Sequence, residues 1–185
     1  MKFIKVAITF LLVSFIAGCA TGAKVQSMTV NTSDAIQVTH NPALKNEVSI
    51  DQVGGGDTTL PFWTSEISGE DFMSALESSL RSYGLYSNTG KYKLSANLVN
   101  VDQPFGGFNM TVTTHVTYTL IDSSNGNTLF KETIITPYTA KLGDHILGFE
   151  RLRLANEGSG KENIKALIKK FADIHIMNVG GVSLN

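Results

Sequence analysis

Cysteine is almost absent from this sequence of 185 residues, because Cys19 is its only thiol. One cysteine excludes an internal disulfide framework and a zinc site built from several thiolates. Charge is also scarce, since charged residues make up 17% of the chain and the formal net charge is −1. A chain without a basic cluster is not expected to bind the phosphates of nucleic acid. These absences leave no strong chemical signature in the body of the sequence.

The first nineteen residues differ in composition from everything that follows. Lys2 and Lys5 give this end a positive charge, and an apolar run covers residues 6–16. A run of eleven residues is too short to span a bilayer as a helix, but it has the length of the apolar part of a signal peptide. Two small residues then separate the run from Cys19. The pattern predicts a segment that is removed during export.

Residues 16–19 read Ile-Ala-Gly-Cys and resemble the lipobox of bacterial lipoproteins. The resemblance implies signal cleavage between Gly18 and Cys19 and acyl chains on Cys19, and more than one such chain anchors a protein stably in a membrane. The alternatives are a plain signal peptide and a buried cysteine in an ordinary N-terminal helix. Ala20 is not aspartate, and by the sorting rule of enteric lipoproteins this favours a periplasm-facing position on the outer membrane.

The remaining chain divides by composition into a polar start, one patterned body and a short end. We predict a cleaved signal at 1–18, a lipid anchor and tether at 19–46, a single domain at 47–178 and a tail at 179–185.

The patterned body begins with a strand and a helix. Residues 47–53 alternate in the manner of a strand, and residues 68–83 repeat apolar side chains at helical spacing. Ser68, with Asp71 three residues later, predicts the start of this helix, and Gly84 predicts its end.

Three further strands and a helical region follow. Residues 91–98 and 108–120 alternate with period two. After a hairpin turn at Asn125-Gly126, residues 128–136 return as the third strand, which stops at Pro137.

From Asp144, which we expect to cap a helix, the spacing is helical again, and Ile146 falls on its apolar stripe. Gly158 and Gly160 should either kink this helix or divide it in two. The order of elements predicts an α+β two-layer sandwich, in which two main helices pack on an antiparallel sheet of about four strands.

This element order is similar to that of several small periplasmic lipoproteins. They are the lipopolysaccharide-assembly lipoprotein, the auxiliary lipoproteins of ABC-type lipid transporters and the N-terminal domain of the Tol-system propeller protein. The resemblance covers residues 47–176 and concerns architecture alone, so it implies no functional residues.

The sequence offers no motif for catalysis, metal binding or a cofactor. The four histidines, at positions 40, 115, 145 and 175, lack the spacing of metal ligands. A hydrolase would require His115 or His145 to meet carboxylates in one cleft. We therefore predict a protein that is not an enzyme and that carries no metal or cofactor.

Two groups of residues are candidates for binding. Arg151, Arg153, Asn156 and Glu157 interleave charges at helical spacings, so they form either a face of internal salt bridges or a docking surface with arginine anchors for an envelope protein. The second group contains the aromatic residues of the loops, and it could line an apolar pocket between helix and sheet. Its members are Phe62, Trp63, Phe105 and Phe108.

Two functions remain open at this stage. The first is a membrane-anchored, non-enzymatic accessory in assembly or transport at the cell envelope, with a protein partner and no nucleic acid. The second is a binder of lipid or another small hydrophobic ligand.

Overall fold

The computed structural model describes residues 22–34, 41–56 and 66–174, which form four strands, three α-helices and two 3₁₀ turns. The strands are β1 (Val48–Gly55), β2 (Tyr92–Asp102), β3 (Met110–Asp122) and β4 (Thr128–Ala140). The helices are α1 (Val25–Met28), α2 (Gly69–Ser82) and α3 (Gly148–Asp173), and the 3₁₀ turns are Thr32–Asp34 and Pro42–Leu44.

One sheet contains the four strands in the order β1-β2-β3-β4, and the helices cover one of its faces. The predicted α+β two-layer sandwich is therefore confirmed. The expectation of a wholly antiparallel sheet is wrong, because β1 pairs with β2 in parallel while the other two pairs are antiparallel. The reason is topological: α2 returns the chain to the starting end of the sheet, so β2 runs in the direction of β1.

The predicted helix at 68–83 is confirmed as α2. The hydroxyl oxygen of Ser68 accepts a hydrogen bond from the backbone N–H of Asp71 at 3.0 Å, which satisfies one of the free donors of the first turn. Gly84 ends the helix with a φ of 64°, and Leu85 N–H bonds back to the carbonyl of Leu80 at 2.9 Å. The apolar stripe of α2 is buried against the sheet.

The region after β4 forms one continuous helix of 26 residues, α3. Its two glycines do not divide it, because they allow close packing instead. A Cβ atom on Gly158 would lie 2.3 Å from the ring of Tyr138, and one on Gly160 would lie 2.9 Å from the sulfur of Met28. Asp144 does not cap this helix, which begins four residues later; its carboxylate accepts the N–H of Lys141 at 2.7 Å.

Strand β4 continues past Pro137, where the sequence predicted its end. β4 is an edge strand, so a missing N–H on its free side breaks no pairing within the sheet. On the sheet face away from the helices, threonines pair across strands: Thr111 with Thr139 at 2.8 Å, and Thr117 with Thr133 at 2.7 Å.

The described part of residues 19–46 belongs to the folded domain, so the expectation of a tether is wrong for residues 22–34 and 41–46. Met28, Val30 and Leu44 are fully buried in the main core. The N–H of Val30 donates to the hydroxyl of Ser79 in α2 at 2.8 Å. The prediction failed because this segment is polar in composition, yet its few apolar side chains fill the space between α2 and α3.

The interior consists of two unequal clusters. The larger cluster lies between the sheet and the helices and includes the C-terminal half of α3. Its bulkiest side chains are Phe72, Tyr118 and Phe171. The smaller one lies near the start of α3 and contains Met110, Val112, Ala140, Leu152 and Ala155. Among the described residues, no helix combines the length and apolar character needed to cross a bilayer.

Candidate functional site

Two loops lie side by side at one end of the sheet: residues 103–109 between β2 and β3, and residues 141–147 between β4 and α3. Arg151 joins them from the first turns of α3. Its Nη1 donates to the carbonyls of His145 at 2.8 Å and of Ile146 at 2.7 Å, and its Nη2 donates to the carbonyl of Gly107 at 3.0 Å. Arg151 is buried, so a guanidinium within the protein fixes both loops.

The outer side of these loops is apolar. Phe105 is fully exposed, and Ile146 and Phe108 are 86% and 79% exposed. A bond of 3.3 Å from Leu142 N–H to the Asn109 side chain also holds the two loops together. We call this area the apolar loop surface, and its members are Phe105, Phe108, Leu142, Ile146 and Leu147.

The N-terminal end of the described chain is linked through Glu66 to the base of loop 103–109. The N–H of Ala23 donates to the carbonyl of Glu66 at 3.0 Å, and the side-chain amide of Gln103 donates to the Glu66 carboxylate. Gln103 is the first residue of the loop that carries Phe105. Ala23 is therefore separated from that loop by one residue, and Cys19 lies four positions before Ala23 in the sequence.

The charged residues of α3 form internal ion pairs. Arg153 bonds to Glu150 and, at 2.6 Å, to Glu157, whose carboxylate also accepts the N–H of Lys24 at 3.0 Å. Burial opposes the charge on Arg153, but its bonds to the two carboxylates leave its pKa raised above the usual value. This is the face of salt bridges that the spacing predicted.

The alternative of an exposed docking surface at Arg151, Arg153, Asn156 and Glu157 is wrong. Arg151, Asn156 and Glu157 are buried, and only 13% of the Arg153 side chain is exposed.

An open cleft of about 440 Å³ lies along α3, between α1 and the end of β4. Its charged side chains pair with one another: Lys161 with Asp34 at 2.9 Å, and Lys165 with Glu162 at 3.2 Å. The bond from Lys161 and the N–H of Asn31 lower the pKa of Asp34. Asp144 and Glu157 also line the cleft, so its lining has four acidic and two basic side chains, and Glu157 is paired with Arg153.

A buried group of polar side chains connects α3 to the sheet. The hydroxyl of Ser159 accepts the N–H of Thr114 at 2.9 Å and donates to the carbonyl of Thr136 at 2.7 Å, so it bridges two neighbouring strands. The phenol of Tyr118 donates to the Asn163 side chain at 2.8 Å, and burial raises the pKa of this tyrosine well above its usual value. The group has internal partners, which is typical of a structural role.

The histidines that the structure describes do not form a catalytic cluster. His115 Nε2 lies 3.0 Å from a carboxylate oxygen of Asp102 on the outer face of the sheet. His145 is exposed, and its Nδ1 accepts the N–H of Leu147 at 3.2 Å. Within the described ranges, no group of three or more histidine, cysteine, aspartate or glutamate side chains could hold a metal ion.

The predicted aromatic pocket is not formed by the two phenylalanines that are described. Phe105 and Phe108 lie on the outside of the protein and do not line a space between helix and sheet. Phe62 and Trp63 lie outside the described residues, as do Gly18 and Cys19 of the predicted processing site and the remaining two histidines.

Sequence reasoning missed Leu142 and Leu147 and placed Ile146 on the buried stripe of a helix. The signal was present in residues 141–148, where three apolar side chains stand between two glycines and charged residues without the period of a strand or a helix.

No family model matches the chain, and no curated protein matches it in sequence. Among solved structures, it is similar to the Xanthomonas campestris protein XCC0632 of the DUF330 family model, with 12% identity, a TM-score of 0.56 and coverage of 76% of this chain and 93% of that one. At this identity, the likeness concerns the fold.

Two looser likenesses have TM-scores below 0.5. One is to a candidate lipoprotein from Caulobacter crescentus, with 16% identity, a TM-score of 0.47 and coverage of 71% and 90% of the two chains. The other is to lipoprotein GNA1162 from Neisseria meningitidis, with 13% identity, a TM-score of 0.28 and coverage of 52% and 69%. The chain thus has the fold of XCC0632, while the resemblance to lipopolysaccharide-assembly lipoproteins stays a prediction.

Proposed function

We propose that this chain is a lipid-anchored lipoprotein of the bacterial cell envelope, held by acyl chains on Cys19 to the periplasm-facing side of the outer membrane. It acts there as a non-enzymatic accessory in assembly or transport. The lipobox-like residues 16–19 carry the proposal. The fold shared with XCC0632 is compatible with it.

The position of the folded domain along the chain also supports a role at the membrane. Ala23 is buried and bonded to Glu66, and it stands only four residues after Cys19. A chain extends by about 3.6 Å per residue at most, so roughly 14 Å separate the two Cα atoms when the link is fully extended. The domain therefore works within one domain diameter of the bilayer.

The alternative of a lipid or small-ligand binder finds less support in the described residues. The space between helices and sheet is filled by fully buried side chains such as Phe72, Leu94 and Phe171. Six of the eleven residues that line the cleft along α3 are charged, whereas sites for hydrophobic ligands have few charged residues.

The anchor is tested by the intact mass of the full-length protein extracted from membranes of an enteric host. We expect a chain that begins at Cys19 and carries the added mass of its acyl groups, with Cys19→Ser as the matched control that keeps the signal and stays unmodified. Separation of the two membranes on a density gradient tests the location, since Ala20→Asp should move the protein from the outer to the inner membrane. An unmodified Cys19 in the natural chain contradicts the proposal.

The accessory role is tested by photo-crosslinking in living cells. A crosslinker in place of Ile135, which is exposed on the outer face of edge strand β4, should give one defined complex with an envelope protein. The same crosslinker in place of Ser124, in the turn at the far end of the sheet, is the control. Crosslinks that are absent from every exposed face would argue against an accessory that works through a protein partner.

A further inference from the structure

The exposed apolar side chains of this protein are concentrated at one end. Of the nine large hydrophobic residues that are exposed in the described part of the chain, five belong to the apolar loop surface. Scattered single residues are normal on a soluble surface, but a contiguous group marks a place that another apolar phase covers. The question is which partner covers this group.

The backbone of the two loops is held so that their apolar side chains point outward. The three bonds from the Arg151 guanidinium fix the carbonyls of Gly107, His145 and Ile146 from inside. With those carbonyls turned toward Arg151, Phe105, Phe108 and Ile146 lie on the water side. The exposure is therefore a fixed feature of the fold.

The same end receives the chain that leads back to Cys19. Ala23 is bonded to Glu66, and the Glu66 carboxylate is bonded to Gln103 at the base of the loop. The link from Ala23 to Cys19 spans roughly 14 Å at most. Any membrane that holds acyl chains on Cys19 thus lies close to the end of the domain that carries Phe105 and Phe108.

We propose that the apolar loop surface dips into the interface of the same bilayer that holds the acyl chains of Cys19, and so fixes the orientation of the domain on the membrane. This inference rests on the proposed anchor. Phenylalanine, leucine and isoleucine are side chains that bury at the boundary between headgroups and acyl chains. The charged side chains of loop 141–147 are Lys141 and Asp144, one of each sign, so the contact depends on apolar insertion and not on anionic headgroups.

The single cysteine of the chain makes a direct test possible. Acylation blocks Cys19, so a cysteine introduced by Phe105→Cys is the only reactive thiol and can carry a polarity-sensitive nitrobenzoxadiazole label. The full-length lipidated protein is reconstituted in phosphatidylethanolamine and phosphatidylglycerol vesicles, with or without lipids that carry a nitroxide on the upper acyl chain. Ser124→Cys, an exposed position in the turn at the opposite end, is the matched control.

We expect a blue-shifted label at position 105 that loses more than half of its emission to nitroxide lipids, and a label at 124 that behaves as it does in water. Changing Phe108 and Ile146 to serine in the Phe105→Cys background should reduce the quenching, while replacing phosphatidylglycerol with phosphatidylcholine should not. Equal emission at 105 and 124 overturns the inference. A label at 105 that is shielded only in native membranes also overturns it, because a protein then covers the surface.

The mass of Cys19, measured on the same preparation, separates the two proposals. An acylated protein whose label at 105 stays in water refutes the membrane contact and leaves the anchor intact. An unmodified Cys19 refutes the anchor itself and removes the geometric reason for the contact.

Discussion

At one end of the sheet, loops 103–109 and 141–147 bury the Arg151 guanidinium and expose phenyl, leucyl and isoleucyl side chains. At the other end, the turn at 122–127 exposes serine and asparagine side chains above a core built around Phe171 and Leu120. The loop end thus combines a buried guanidinium with exposed apolar side chains, whereas the turn end has the usual arrangement of polar residues outside an apolar core.

The turn end meets its own hydrogen-bonding needs in water. The Asp122 carboxylate accepts the N–H of Ser124 at 2.9 Å, the Asn125 side chain accepts the N–H of Asn127 at 2.9 Å, and Gly126 supplies the positive φ of the turn. At the loop end, the buried guanidinium of Arg151 instead donates hydrogen bonds to three backbone carbonyls. Removing a charge from water costs free energy, so the buried guanidinium makes the loop end costly to fold. Its exposed apolar surface suits a partner that the turn end does not require.

The largest expected effect concerns the interior of the turn end. Phe171 is 1% exposed, and its ring meets the edge of Phe130 with centroids 6.0 Å apart. Because Phe171→Ala leaves a cavity in a filled core, it should lower the free energy of unfolding by about 3–5 kcal/mol in urea titrations. Met73→Ala, on the exposed side of α2, is the control and should change it by less than about 0.5 kcal/mol. A small effect at Phe171 would mean that the turn end has no tight core.

The next effect concerns the interior of the loop end. Arg151→Met keeps most of the side-chain volume but removes the donors to three carbonyls, so it should cost roughly 2–4 kcal/mol of unfolding free energy. Amide hydrogen exchange should become faster in loops 103–109 and 141–147 and stay unchanged at 122–127. Lys141→Met, which alters an exposed side chain of the same loop, is the control. Uniformly faster exchange at both ends would show that Arg151 stabilises the whole fold and not the loop end.

A third effect lies between the ends. Ser159→Ala leaves the buried N–H of Thr114 without its acceptor, which should cost about 1–3 kcal/mol in the same titrations. Ser74→Ala, in which an exposed hydroxyl on α2 is removed, should be close to neutral. If the two serines have equal effects, the bridge between β3 and β4 contributes nothing to stability.

The turn end was the easier end to predict from the sequence. Strand β3 alternates without interruption, Asn125-Gly126 marks the turn, and α2 has both a capping residue and a clear apolar stripe. In each case, a short stretch of sequence determines the local structure. The direction in which β1 pairs with β2 depends on where α2 places the chain, and the pattern of β1 does not encode it.

The structure of the loop end could not be predicted from the sequence, and the reason is physical. Charged residues at helical spacing left open a face of salt bridges or an exposed docking surface. Arg151 and Glu157 are buried because carbonyls, Arg153 and the Lys24 N–H compensate their charges. Hydrophobicity also does not say which way a loop residue points, so Phe105 could equally have been part of the core. The packing of Met28 against Gly160 involves residues 132 positions apart, and no local pattern reveals it.

A smaller effect should appear at the turn end in acid. The bond from Ser124, with a further contribution from Lys91 at 3.2 Å, lowers the pKa of Asp122 below its usual value of 3.8. Such a group stabilises the folded state above the unfolded pKa, and this contribution is lost as the pH falls through the folded pKa. Asp122→Asn should therefore flatten the decline of unfolding free energy below pH 3.8, while Ser74→Ala, which removes no titratable group, should leave it unchanged. If unfolding free energy declines in the same way at low pH in both variants, Asp122 does not contribute to stability through its lowered pKa.

The smallest effect on stability should come from the most exposed residues. Phe105→Ser combined with Phe108→Ser removes two phenyl rings from the loop end, yet it should change the unfolding free energy by less than about 0.5 kcal/mol, because neither ring is buried in the domain. Retention on a hydrophobic-interaction column should fall clearly, since these rings form much of the apolar loop surface. A matched change of Ser123 and Ser124 to alanine at the turn end should alter neither quantity. A loss of stability as large as that of Arg151→Met would show that the rings pack within the protein, and the loop end would then have no free apolar surface for a bilayer to cover.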